Sequence, residues 1–188
     1  PVDLPDVVRN VIDAVTPAAD AKSIRIESVL DPRASPISGD PERLQQILWN
    51  LLSNAIKFTP RGGKVQLRLS RVNSHVEVAV SDTGRGITPE FLPYVFERFR
   101  QADASFSREH GGLGLGLAIA RHLVRQHGGK MTAHSDGPGL GTMIRISLPV
   151  PASADSEMSA PVFTPAVKLS GCLVGANVLV VDDDEDSR

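Results

Sequence analysis

The chain has one cysteine, one tryptophan and one tyrosine in 188 residues, and aromatic residues make up only 4% of it. The single Cys172 rules out disulfides within the chain and cysteine-based metal clusters, and suits a reducing compartment. No apolar run approaches the length of a bilayer span, and no charged-then-apolar start resembles a leader, so no direct membrane contact is expected. Acidic and basic residues number 22 and 20, a net charge of −2, which argues against a general nucleic-acid binder. Two common phosphate-binding spellings are also missing. Gly62-Gly63-Lys64 runs into Val65 and Gly128-Gly129-Lys130 into Met131, so neither is a Walker A loop, and G-x-G-x-x-G does not occur. The start Pro1-Val2-Asp3 and the end in mid-pattern suggest a piece of a longer protein. At 41% apolar residues, there is enough chain for one well-buried core.

What is present is punctuated by glycine. Gly112, Gly114 and Gly116 alternate with Leu113, Leu115 and Leu117, and the run opens a helical pattern from Leu117 to His127. Glycines at alternate positions let a ligand approach bare backbone, and a helix start offers N–H groups and a positive dipole end to phosphate. A close-packed helix–sheet junction explains the alternation equally well.

Along the chain, apolar spacing from Leu4 to Val15 predicts a helix, and Ile24-Arg25-Ile26 alternates as a strand does. Asp40-Pro41-Glu42 reads as a cap, a proline at the first helical position and an acid in the first turn. The helix that follows carries Leu44, Ile47, Leu48, Leu51, Leu52, Ala55 and Ile56 on one side, and Pro60 stops it near Thr59. Lys64–Val72 and residues 76–80 alternate about an Asn73-Ser74 turn, and a second hairpin runs from Met131 to Leu148. Together these predict one mixed α/β unit over residues 1–149. Residues 150–175, with Pro151, Pro161 and Pro165 among Ala and Ser, read as a flexible linker. Val178–Val181 then reads as a buried-type strand closed by a run of acids.

Three segments carry chemistry. Asn50, Asn54 and Lys57 fall within about 60° of arc on the Asp40 helix. A solvated surface is one reading of this stripe. Yet Asn is a poor mid-helix residue, while its carboxamide oxygen suits Mg²⁺ and the lysine suits phosphate. Asp82 follows a strand directly, with Gly84 and Gly86 behind it. It is either an Asp-initiated turn or an acceptor for an exocyclic amine, with glycine backbone for a flat ring to lie on. Phe96-Glu97-Arg98-Phe99 reads as a flap whose Arg98 reaches an anion, or as a surface loop with two core plugs.

The order N-L-L-S-N-A-I-K-F-T, D-T-G-R-G-I, F-E-R-F, G-G-L-G-L-G-L-A-I and G-L-G-T resembles the ATP-binding catalytic domain of sensor histidine kinases, with its N, G1, F and G2 boxes and final glycine-threonine. The resemblance covers roughly residues 1–149. It implies an α+β fold: a two-layer α/β sandwich of the Bergerat type, shared with gyrase-like ATPases. The sheet is mixed and mostly antiparallel, with helices covering one face. It also implies a lid over ATP between the F and G2 boxes. Carried onto these positions, Asn54 holds Mg²⁺ and Lys57 contacts phosphate. Asp82 binds the adenine amine with Thr142 in support, and Phe58, Ile87 and Leu115 wall the base. Arg98 approaches the γ-phosphate, and Gly112, Gly114 and Gly116, leading into Leu117, cradle the phosphates. Asn50 stands where related hydrolases hold a glutamate that activates water.

The tail from Val178 to Asp183 resembles the first strand and acidic pair of a receiver domain, so residues 176–188 look like a truncated receiver and the parent like a hybrid kinase. None of His75, His110, His122, His127 or His134 has the setting of the family's phospho-accepting histidine. The expected partners are therefore that histidine's dimerisation and phosphotransfer hairpin and a receiver domain, both of the same protein in the cytoplasm. The rival readings are a gyrase-like ATP hydrolase and a non-enzymatic nucleotide-responsive interaction module.

Overall fold

Asp3 and Asp40 start the two long helices in the same way. In the computed structural model, which describes residues 1–100 and 113–150, α1 (Leu4–Ala21) is capped by the Asp3 carboxylate accepting from the Asp6 N–H. In α2 (Pro41–Phe58), the Asp40 carboxylate accepts from the Glu42 and Arg43 N–H groups at 2.9 and 3.2 Å. Such caps satisfy donors that the first turn leaves unpaired. The far end of α2 is closed from outside. Lys22 Nζ donates to the carbonyls of Ile56, Lys57 and Thr59 at 2.9, 2.8 and 3.1 Å.

The first helix is longer than its spacing predicts, because it continues through Pro17. Proline inside a helix costs about 3 kcal/mol in a lost hydrogen bond and a ring clash. Val15 and Ala19, on either side, are buried in the core. Their burial outweighs the cost and carries the helix on to Ala21.

After β1 (Arg25–Leu30), the chain makes β2 (Lys64–Val72) and β3 (His75–Asp82), joined by the Asn73-Ser74 turn with Asn73 at φ 52°. A short 3₁₀ turn at Leu92–Tyr94 precedes α3 (Gly116–Gln126), followed by β4 (Lys130–His134) and β5 (Thr142–Pro149). The five strands are ordered β1-β2-β3-β5-β4. Only β1 and β2 run parallel; the other neighbours are antiparallel. The sheet is mixed and mostly antiparallel, as expected.

Register places the apolar residues on one face. Leu67 opposes Val80, Val78 opposes Ile146, and Val80 opposes Ile144. These residues are buried, whereas Arg68 and Arg145 on the other face are exposed. α2 packs on both α1 and α3 and also reaches β2 and β3, so the helices form one layer over that face. His127, just past α3, fastens the layer: its Nδ1–H donates to Leu123 O at 2.8 Å while Nε2 accepts the Asp40 N–H at 3.2 Å. The linker and receiver expectations at 151–188, the lid segment at 101–112 and Gly112 lie outside the described residues.

Candidate functional site

Two half-buried carboxamides on α2 define the floor of the site. Asn50 and Asn54 lie one turn apart, and α3 begins against them at Gly116. A Cβ on Gly116 would stand 3.3 Å from Asn50 Oδ1 and 3.4 Å from Asn54 Nδ2. The bare glycine leaves room between the two amides and the helix start. Above them opens a cleft of about 720 Å³, within the range of about 300–1,000 Å³ usual for small-molecule sites.

Of the residues singled out in the sequence, Asn50, Asn54, Lys57, Phe58, Asp82, Gly86, Ile87, Gly114, Leu115, Gly116, Leu117 and Thr142 all line this cleft. Four separated stretches of chain meet there. Asp82 ends β3 and pairs with Thr142 at the start of β5. Its carboxylate accepts the Gly84 N–H at 2.8 Å and a backbone bond from Thr142. Burial pushes the Asp82 pKa above the ordinary carboxylate value, and these two N–H bonds oppose it without cancelling it. Burial first, and then the charge of Arg85, pull Lys57 below the ordinary lysine value.

Gly84 stands behind the site rather than in its lining. A Cβ there would meet Asp82 Oδ1 and the Phe58 carbonyl at 2.6 Å, so the residue is small to let the turn close on the carboxylate. Arg98 is exposed and does not line the cleft, whereas Arg100 does. The reason is the backbone at Phe99. It takes φ 62°, donates its N–H to Gly114 O at 3.2 Å and turns the chain, so Arg100 is the residue delivered to the cleft. Arg100 is also tied to Glu97 at 3.1 Å and lies over the Tyr94 ring.

Sequence reasoning missed Arg85, Phe91, Val95 and Pro138, which also line the cleft. Arg85 was legible only as the variable letter of D-T-G-R-G-I. Its backbone is fixed at both ends, by an N–H bond to Phe58 O at 3.2 Å and by the Gly139 N–H donating to its carbonyl at 2.6 Å. The described residues hold no cluster of three or more His, Cys, Asp or Glu side chains able to hold a metal.

The asparagine, aspartate and glycine motifs of this two-layer sandwich converge on one cleft. Residues 39–152 match the family described as histidine kinase-, DNA gyrase B-, and HSP90-like ATPase. The chain belongs to this family. Among proteins it resembles, hybrid signal transduction histidine kinase D of Dictyostelium discoideum is 35% identical over 79% of this chain and 12% of its own length. Sensor histidine kinase GacS of Pseudomonas protegens is 37% identical over 100% of this chain and 20% of its own length. The chain thus spans a fifth or less of these relatives. Of solved structures, the mycobacterial sensor histidine kinase MprB is 33% identical with a TM-score of 0.68, covering 79% of this chain and 95% of that one. Full-length ShkA in complex with AMPPNP is 35% identical with a TM-score of 0.68, covering 80% of this chain and 30% of that one. Among the described residues of this histidine kinase-, gyrase- and HSP90-like domain, no helix is long and apolar enough to cross a membrane.

Proposed function

We propose that this domain binds Mg·ATP and supplies the γ-phosphoryl group for histidine phosphorylation in a two-component sensor kinase, working on the cytoplasmic side. The observation that carries the reading is the meeting of Asn50, Asn54 and Lys57 with Asp82 and the Gly114–Leu117 helix start in one cleft. Asp82 accepts the adenine amine, and the glycine-led start of α3 and Lys57 take the phosphates. The carboxamide oxygen of Asn54, which lines the cleft, is a hard donor of the kind Mg²⁺ takes, and would hold the ion with water completing its shell, because this ion keeps most of its waters and takes few protein ligands. Bound there, Mg²⁺ neutralises charge on the phosphates.

In the transfer, the bond from the γ-phosphorus to the bridging oxygen breaks, a bond to an imidazole nitrogen forms, and ADP leaves. The acceptor histidine belongs to a hairpin outside this chain. The strand-plus-acid pattern of residues 178–186 supports a receiver as the next acceptor, which makes the parent a hybrid kinase. Asn50 favours transfer over hydrolysis, because a carboxamide cannot take a proton from water.

Calorimetric titration of the chain with ATP and GTP, with and without Mg²⁺, tests the reading. Mg²⁺-dependent binding that favours ATP is expected. Equal binding of the two nucleotides, or none, defeats it.

A further inference from the structure

The last carbonyls of α2 cannot be satisfied by the chain that follows them. Each would take the N–H four residues on if the helix continued. For Ile56 that residue is Pro60, which has no N–H. For Phe58 it is Gly62, whose N–H donates instead to Lys22 O at 3.0 Å. Lys22, the residue that caps the end of α1, supplies the missing donors from its side chain. Its ammonium donates to Ile56 O, Lys57 O and Thr59 O at 2.9, 2.8 and 3.1 Å, the three bonds such a group can give. The carbonyl it passes over, Phe58 O, accepts the Arg85 N–H at 3.2 Å.

The turn held in this way is cleft wall. Lys57 and Phe58 both line the cleft, and Lys22 does not. The turn after Asp82 grips Phe58 twice, through the Arg85 N–H and through the Arg85 guanidinium, whose carbon lies 4.5 Å from the ring centroid. Lys22 is half-buried and its own backbone is fixed, its N–H donating to Ala19 O at 3.0 Å while its carbonyl accepts from Gly62. Its charge also meets the negative end of the helix dipole. Helix ends fray first, so losing the ammonium frees the turn on which Lys57 stands.

We propose that Lys22 is a positioning residue of the nucleotide cleft, its ammonium holding the end turn of α2 so that Lys57 is presented to the phosphates. The inference rests on the proposed binding of ATP and assigns part of that affinity to a residue outside the cleft. Lys22 touches no nucleotide and acts through Lys57.

The test is a double-mutant cycle on the whole chain. Wild type, Lys22→Met, Lys57→Met and the double variant are titrated with ATP in Mg²⁺ by calorimetry, under conditions where urea unfolding shows each to be folded. Methionine at position 22 keeps most of the apolar stem and removes the three donors. Lys22→Met should lose about tenfold in ATP affinity, a coupling of the size found between residues that share partners. It should lose almost nothing further where Lys57 is already Met. A readout without ligand is amide exchange at Arg85, which should quicken in Lys22→Met by more than exchange at Val80 in the central strand. Should the Met variant not fold, Lys22→Arg runs the same cycle. A planar fork fits three carbonyls around one point less well than an ammonium does, so a smaller loss is expected, again absent when Lys57 is Met. Equal losses with and without Lys57 overturn the inference, as does Arg85 exchange that only keeps pace with Val80. Lower stability with unchanged ATP affinity is a structural role alone and also overturns it. All three results leave the proposed function standing, whereas a wild type that binds no ATP defeats that function and this inference with it.

Discussion

The N–H of Ile87 donates to Ser135 Oγ at 3.0 Å, and the same hydroxyl donates to the Gly141 carbonyl at 2.7 Å. One small side chain therefore pins the turn after β3 to the loop before β5. Asp82 and Thr142 sit where those two loops begin and end. Ser135→Ala leaves a half-buried N–H without its acceptor, which should cost about 1–3 kcal/mol, and should weaken ATP binding as well. Urea unfolding and an ATP titration check this. Ser135→Thr keeps a hydroxyl and should keep most of both properties, while an unchanged midpoint in the Ala variant contradicts the pinning role.

Asp82→Asn should separate stability from binding. The Asp82 pKa is raised above its ordinary value of 3.8, so the neutral form suits the fold. Its stabilising contribution is complete below that value and is lost as pH rises through the raised pKa. Asn stays neutral. The empty variant should therefore melt higher than wild type near pH 7, and the two curves should converge in acid. ATP affinity should fall by about 2–3 kcal/mol with loss of a charge-assisted bond to the base. Melting curves across pH, with and without ATP, report both; a variant that melts no higher and binds ATP normally contradicts the assignment.

Asn50→Glu should turn a nucleotide-holding cleft into a hydrolytic one. Its carboxamide shares the space beside Gly116 with Asn54, and a carboxylate placed there can accept a proton from water. General bases contribute about 10²–10⁴-fold. Phosphate release should rise in Asn50→Glu and stay flat in Asn50→Ala. If the Glu variant binds Mg·ATP normally and shows no rise, position 50 does not face the attacking water.

Much of the fold is legible before folding is considered, and particular residues show why. The Asp40-Pro41 start of α2 and the Lys64–Val72 alternation encode their elements locally. Pro17 misleads, because the burial that keeps α1 going comes from distant chain. The floor of the site is equally legible: Asn50, Asn54 and Lys57 lie at helical spacing. Arg85 and Arg100 are not, since a ring contact and a backbone reversal decide which arginine faces the cleft, and neither leaves a periodic trace.

Two glycines with nearly the same backbone separate conformation from crowding. Gly62 and Gly141 have φ of 76° and 75°. A Cβ on Gly62 meets nothing within 4 Å, whereas one on Gly141 would stand 2.0 Å from the Asp82 carbonyl oxygen. Gly62→Ala should cost about 1–2 kcal/mol from left-handed geometry alone. Gly141→Ala must also displace backbone at the site, so it should cost more and weaken ATP binding. Chemical denaturation of the pair checks the order; equal costs contradict it.

The pairing of β3 with β5 also sets when the cleft can exist. β2–β3 and β4–β5 are neighbours in the chain, and each can zip up early as a hairpin. Joining β3 to β5 must instead close a loop that contains the whole glycine-rich segment, and distant pairings of this kind are slow. Asp82 and Thr142 form the rung of that ladder where β5 begins, so a growing chain has no complete site until the start of β5 has left the ribosome. Nucleotide binding is thereby a certificate of that distant pairing, withheld from any chain that stops short of β5.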